Sequence, residues 1–402
     1  MRNKLSNHHI YLLVILITAF LIRLINIGSP LLEFFPPRQT QTAEITRNIY
    51  VNGWPDFWTP KVRYFTNGAP IPYVLEFPFY NGIVASAYHL FGPNVIWGRI
   101  VSLMFFLGST AVFYRLLLKT FPTIPTILAI LFFIFSPLHI LISRSFQPEE
   151  LALFLLLLAI YKKSWLIFSL AVLTKLPITL FAPVLFFSPS LRGVPIQSGR
   201  RGNPLDFSIR AFTRNNIIKF GLSLLPSLIW YFRAGQLTVH PAISRNFDLS
   251  NWFQPQLWLN WRWYFSLFQI EQVWILTTLG LLFFWIGFWG EISKNKIDLW
   301  LIWLANGVLY LALFNYHAMT HEYYHLFLLP PLSVFIGLGL SKILEITKEL
   351  SKNIRTLSIA GILLLFILGL IQPALKKIIS APNSPAKSGE MNMERYQLIE
   401  DF

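Results

Sequence analysis

The chain has 402 residues, of which 54% are hydrophobic and only 13% charged, and it carries a formal net charge of +15. A soluble domain is about 25% charged, so composition excludes an ordinary globular protein. The absence of cysteine excludes a disulfide framework, zinc–thiolate sites and cysteine nucleophiles.

In chain order, apolar stretches of bilayer-crossing character, each needing about 20 residues, fall at roughly 9–27, 95–114, 122–142, 150–161, 164–188, 215–232, 272–290, 298–315, 324–341 and 356–372. The first stretch carries Arg23 and lacks a small-residue cleavage site, so it reads as a span and not a signal peptide. Lys and Arg set the orientation. Arg2 and Lys4 hold the N-terminus inside, residues 28–94 lie outside, and Arg115 and Lys119 return the chain to the cytoplasm. Residues 143–149 are outside again, and Lys162 and Lys163 inside. Arg192, Arg200, Arg201, Arg210 and Arg214 also belong inside, yet only 164–188 separates them from Lys162 and Lys163. Lys175 and Pro177 interrupt that stretch. Proline removes a helical hydrogen bond and a lysine in lipid is costly, so 164–188 is expected to fold into a hairpin with Lys175 at its outer tip. The rest alternates: 233–271 outside, 291–297 inside, 316–323 outside, 342–355 inside and the tail from 373 to 402 outside. The fold class is therefore all-α, a polytopic transmembrane domain over 1–372 with eleven membrane segments, counting the hairpin as two. The charge of +15 belongs to cytoplasmic loops facing membrane lipids, not to a nucleic-acid surface.

The unusual residues gather in the outer loops. The loop 28–94 predicts a helix over 42–51, closed by Asn52-Gly53, and an amphipathic interfacial helix over 79–91. A long loop with helices of its own is more often functional than a plain connector. The outer acids are Glu33, Glu44, Asp56, Glu76, Glu149, Asp248 and Glu322; the outer cations are Arg38, Arg47, Arg63, Arg144, Lys175, Arg245 and His321. Glu44 has a bland alternative as a first-turn acid of its helix, whereas Glu76 follows an apolar run with no capping role. His317, His321 and His325 recur every four residues, a spacing that would also suit a metal if the segment were helical throughout. The loop 233–271 contributes Trp252, Trp258, Trp261 and Trp263, as belt anchors or sugar-stacking platforms.

Several short motifs recur in one order along the chain. They are Ala43-Glu44-Ile45-Thr46-Arg47-Asn48, Gly53-Trp54, Glu76-Phe77-Pro78-Phe79, Gly98-Arg99, Ser143-Arg144 with Pro148-Glu149, Thr174-Lys175-Leu176-Pro177, and His321-Glu322-Tyr323-Tyr324 followed by Leu329-Pro330-Pro331. Together they resemble the GT-C class of integral-membrane glycosyltransferases, nearest to the protein O-mannosyltransferases and lipid A aminoarabinose transferases. The resemblance covers about residues 9–341. It implies transfer of a sugar from a polyprenyl phosphate to a lipid, glycan or protein acceptor at the outer face of a bacterial plasma membrane. One departure stands out: Arg38-Gln39 occupies the place of the family's Asp-Glu pair, while Glu76 stands where many relatives have lysine. The two changes reverse charge, so Arg38 and Glu76 are expected to face each other as an exchanged pair.

The implied chemistry needs a carboxylate to take the acceptor's proton and cations, or a divalent metal, to offset charge on the leaving phosphate. Glu76 and Glu44 are the candidate bases. Arg38, Gln41, Arg144, Lys175, His321 and Tyr324 are the candidate substrate-binding residues, with Arg38, Arg144 and Lys175 expected to line one outer cavity. No metal site is predicted, and the cofactor is left open: a divalent metal is compatible with the chemistry but not indicated by the residues. A glycan ligase or polymerase using the same lipid carrier, or a transporter, remains the alternative; a transporter would show charges within several spans and similar halves.

Overall fold

The computed structural model describes residues 2–63, 70–187, 214–238, 240, 244, 248–294 and 298–380. The basic segment 188–213, Arg245 and the tail 381–402 lie outside the described residues. The first part of the chain forms α1 (Arg2–Leu24), α2 (Pro36–Asn52), α3 (Trp54–Trp58), α4 (Phe79–Phe91), α5 (Ile96–Leu118), α6 (Thr123–Phe135), α7 (Pro137–Ile142), α8 (Glu149–Lys162), α9 (Trp165–Thr174) and α10 (Ala182–Phe187). The second part forms α11 (Arg214–Leu237), α12 (Leu249–Trp252), α13 (Trp261–Ile270), α14 (Thr277–Ile292), α15 (Leu299–Leu313), α16 (Asn315–Thr320), α17 (Leu329–Ile346) and α18 (Lys352–Ser380). The strand pairing among the described residues is a two-residue ladder, Lys61–Val62 against Ile71–Pro72. Five helical stretches are long and apolar enough to cross a membrane, and shorter apolar helices accompany them. The architecture is that of a polytopic helical membrane protein.

Where the elements differ from expectation, the backbone gives the reason. The helix expected over 42–51 begins at Pro36, because Pro36 and Pro37 occupy its first positions, where their fixed φ is already helical and no N–H is missed. The stretch 122–142 breaks at Ser136, since Pro137 cannot continue α6 and starts α7 instead. The turn 143–149 was expected as an outer loop; its residues are fully buried beneath the segment that follows α1. The stretch 164–188 does break at Lys175 into α9 and a second arm, Leu176–Phe187. Trp165 at one end and Phe186 at the other pack with ring centroids 4.9 Å apart, so the two arms return on themselves as a hairpin.

The main core runs from α1 to α18, and Trp230 and Ala234 of α11 form a small second cluster with Val74. The closest approach in the main core is between α14 and α17. A Cβ at Gly287 would lie 1.9 Å from the Phe335 carbonyl oxygen, and one at Gly339 would lie 1.9 Å from that of Phe283. In lipid, where apolar surface alone does not drive helices together, such small residues let backbones touch and gain packing energy.

Candidate active site

The outer segment is fixed from below. Arg99, on α5, donates to the carbonyls of Ile27 (2.5 Å), Ser29 (2.6 Å) and Pro30 (3.2 Å), and it pairs with Glu33 at 3.1 Å. Gln39 donates to the Phe34 carbonyl at 2.6 Å and accepts from the Phe146 N–H at 2.9 Å. It thus pins the start of α2 to the buried turn 143–148. Asn81 on α4 donates to the Thr42 carbonyl (2.8 Å) and the Thr46 hydroxyl (2.9 Å), which locks α4 against α2. The segment carrying Glu76 is held from the other side: Trp230 of α11 donates to the Leu75 carbonyl at 3.0 Å.

These ties bring four charged side chains together. Arg38 and Glu76 form a direct ion pair. Arg38 Nη2 also lies 3.4 Å from Glu149 Oε1, and Lys175 Nζ lies 2.7 Å from the same oxygen. Glu149 is fully buried and Lys175 nearly so, whereas the Glu76 side chain keeps 25% of its surface exposed. Burial alone would lower the Arg38 pKa, but Glu76 and Glu149 more than offset it and hold the guanidinium well above its ordinary value. The Lys175 ammonium also faces the rings of Tyr323 and Tyr324, 4.7 and 5.1 Å from their centroids.

A narrow cleft opens on the Glu76 side of this centre. Arg38, Gln41, Thr42, Tyr73, Glu76 and Asn81 supply its polar lining, and its cavity of about 20 Å³ is room for a single water. On the Lys175 side stands an aromatic wall. The His321 ring packs on Phe35 (4.6 Å), and His317 stacks on Tyr324 with centroids 5.3 Å apart and planes 12° from parallel. Burial, with Lys175 nearby, lowers the His317 pKa to about 4. Burial, then His317, Lys175 and Arg38, lower that of His321 to about 3. Both imidazoles are therefore neutral hydrogen-bonding groups at neutral pH.

The structure gathers Arg38, Gln41, Glu76, Lys175, His321 and Tyr324 around one centre. It places Arg144 elsewhere. The three do not line one cavity: Arg38 lines the cleft, Lys175 stands behind it on Glu149, and Arg144 is wholly buried and faces Glu33 at 3.4 Å. The turn that carries it folds under the segment that follows α1, where the buried Glu33 carboxylate meets it. Burial lowers the Arg144 pKa to about 10 despite Glu33. Glu44 accepts from the Arg63 backbone N–H at 2.5 Å and is itself almost fully buried. His325 turns away from His317 and His321, bonding Glu271 at 2.7 Å and the Ala318 carbonyl at 2.8 Å. Among the described residues no group of three His, Asp or Glu side chains is placed to hold a metal. Asp56 is tied to Asn52 and Lys61, both at 2.7 Å, as a loop brace. Of the loop tryptophans, Trp263 is buried with its N–H on the Asn315 carbonyl, and Trp261 is exposed.

Two features go beyond the sequence reading. Glu149, an outer acid and part of the Pro148-Glu149 motif but not one of the chosen site residues, is the acid shared by both cations. Arg23, expected as a charge within a span, is satisfied by the Ser143 hydroxyl (2.6 Å), the Ile134 carbonyl (2.7 Å) and the face of Phe106.

No protein-family profile and no curated relative matches the sequence. Among solved structures, the fold is similar to that of ArnT from Cupriavidus metallidurans, seen both bound to undecaprenyl phosphate and in the apo state. Each comparison gives a TM-score of 0.54 and 13% identity over 97% of this chain and 76% of that one. It is also similar to the apo oligosaccharyltransferase of Archaeoglobus fulgidus, with a TM-score of 0.51 and 12% identity over 96% of this chain and 59% of that one. Both are GT-C glycosyltransferases, and the chain described here has a GT-C-like fold.

Proposed function

We propose that this protein is a membrane glycosyltransferase that moves a sugar from a polyprenyl-phosphate donor to an acceptor hydroxyl at the outer face of the membrane. The observation that carries the reading is the convergence of Arg38 and Lys175 on Glu149, with Glu76 beside them on an open cleft. A phosphate diester brings one negative charge, and two cations already held in place suit its oxygens. Arginine offers a planar fork and lysine a compact point charge.

In the proposed reaction, Glu76 takes the proton from the acceptor hydroxyl, whose oxygen attacks the anomeric carbon. The bond from that carbon to the phosphate oxygen breaks, and its electron pair stays on the phosphate. Arg38 and Lys175 offset the charge that grows there, as preorganised cations do best in a site shielded from water. Neutral His321 and His317, with Tyr324, line the side on which the sugar would lie. Glu44 is the second candidate base, deeper and already engaged by the Arg63 N–H.

The experiment is to supply purified protein in vesicles with radiolabelled polyprenyl-phosphate sugars. Release of free polyprenyl phosphate with label transferred to acceptor, or to water in its absence, supports the proposal. Uptake of intact donor without bond cleavage would instead identify a transporter.

A further inference from the structure

At the end of the molecule remote from Arg38 and Lys175, α14 presents an apolar face beside its glycine crossing with α17. The two helices run parallel, since Glu271 just before α14 bonds His325 just before α17. A groove runs past the crossing along the α14 face, from Leu282 to Ser293. It is lined by Leu282, Trp285, Ile286, Trp289 and Ser293 of this helix and its end, and by Lys342. The first four recur at i, i+3, i+4 and i+7, one face of a helix. Trp285 and Trp289 stack at 6.4 Å with planes 26° apart, and both are exposed, at 46% and 61%. Gly290 forms part of the floor, with nothing within 4 Å of where a Cβ would stand.

The groove is apolar along its length and polar at its end. There the Ser293 hydroxyl and the exposed Lys342 ammonium stand together, and no carboxylate pairs with Lys342 among the described residues. A hydrocarbon chain can lie along Leu282, Trp285 and Trp289, while a headgroup oxyanion meets Lys342. This pattern differs from generic lipid contact, for which a flat apolar face is enough. The groove is shallow, but it has a direction, apolar from Leu282 to Trp289 and closed by a cation at Lys342.

We propose that the groove between α14 and α17 is a binding site for one anionic phospholipid, its acyl chain against Trp285 and Trp289 and its phosphate-bearing headgroup at Lys342. The site is independent of the glycosyltransferase reading and lies far from the charged centre that supports it.

The test uses the full chain in nanodiscs of zwitterionic lipid. A fixed minor fraction of brominated-chain phosphatidylglycerol, or of brominated-chain phosphatidylcholine, is added, and tryptophan quenching is measured. The part due to the groove is the difference between the parent and the Trp285→Phe/Trp289→Phe variant. Phosphatidylglycerol is expected to quench that part about fivefold more effectively at equal fraction, the factor that one lysine near a membrane surface supplies. Lys342→Gln should erase the preference, Lys342→Arg should keep it, and free inorganic phosphate should not compete. Equal quenching by the two lipids, or a preference that survives Lys342→Gln, would overturn the proposal in favour of unspecific annular lipid.

Discussion

Lys175→Met separates a phosphate-binding lysine from a structural one. The Lys175 side chain is 4% exposed and that of Glu149 fully buried, with 2.7 Å between Nζ and Oε1. Removing one partner of a buried pair typically costs about 3–5 kcal/mol, because the other charge is left without its counter-ion. Here Arg38 remains 3.4 Å from the same oxygen, so the lower end, about 3 kcal/mol, is expected. Turnover should fall on the order of a hundredfold, the scale of losing one donor to developing charge. The double variant Lys175→Met/Glu149→Gln removes both charges and keeps their shapes. It should recover most of the lost stability, since neither buried ion is then unpaired, yet it should stay as inactive as the single variant. Thermal unfolding in detergent and donor turnover are measured on all three proteins. If activity returns together with stability in the double variant, or if Lys175→Met is fully active, Lys175 is only a brace and the phosphate lies elsewhere.

Glu76→Gln is expected to lower turnover by at least about a hundredfold, the contribution of a general base, while donor-lipid binding stays near that of the parent. If instead binding and stability fall together and the reversed pair Arg38→Glu/Glu76→Arg restores both, Glu76 is a structural partner and Glu44 becomes the leading base. Gly287→Ala places a methyl 1.9 Å from the Phe335 carbonyl oxygen and should destabilise by about 1–3 kcal/mol or more. Gly290→Ala, with open space around it, should leave the unfolding temperature unchanged, and equal effects would refute the crossing. His317 and His321 titrate below their ordinary range in the folded protein, at about 4 and about 3. Their depressed values mean that the unfolded chain binds protons first, so stability present above pH 6.5 is lost as pH falls towards 4. Unfolding curves of His317→Gln/His321→Gln should show a flatter decline over that window, and an unchanged slope would exclude the histidines as its cause. The chain has no native cysteine, so a cysteine at Ser190 should react only with reagent added from the cytoplasmic side; outer labelling would overturn the expected orientation.

The hairpin was legible because two local signals agreed: a proline that breaks a helix at Pro177 and basic sets that a single crossing would have put on opposite sides. The exchanged pair was legible for a different reason. Charge reversal at Arg38 and at Glu76, each read against the resembling motif, predicts proximity without any knowledge of the loop's path. Arg144 misled because sequence shows a charge but not its partner. Glu33 lies 111 residues away in sequence, and only the folding of the 143–149 turn beneath the outer segment brings the two together. The reading that starts this helix at 42 leaves out Pro36 and Pro37, although at the first positions of a helix prolines favour its start. Glu149 was among the outer acids but not among the chosen residues. A glutamate at a helix start has an ordinary role, and its distances to Lys175 and Arg38 depend on three segments far apart in sequence.

The charges at the centre bear on how the proposed reaction begins. Two cations, Arg38 and Lys175, are matched by two carboxylates, Glu76 and Glu149, so the empty site is neutral. A phosphate diester adds one negative charge, and one carboxylate must loosen its hold on the cations to receive it. Glu149 is the worse candidate: it is fully buried and touches both cations. Glu76 is a quarter exposed and borders the cleft, so it can leave Arg38 at low desolvation cost. The phosphate then inherits Arg38, and Glu76 is released towards the cleft as an ionised, partly hydrated carboxylate able to accept a proton. Donor binding and base activation become one event, so an acceptor that arrives first meets a Glu76 still committed to arginine. In the proposed reaction, the reversal of charge between Arg38 and Glu76 keeps the function of the pair while changing which segment supplies the base.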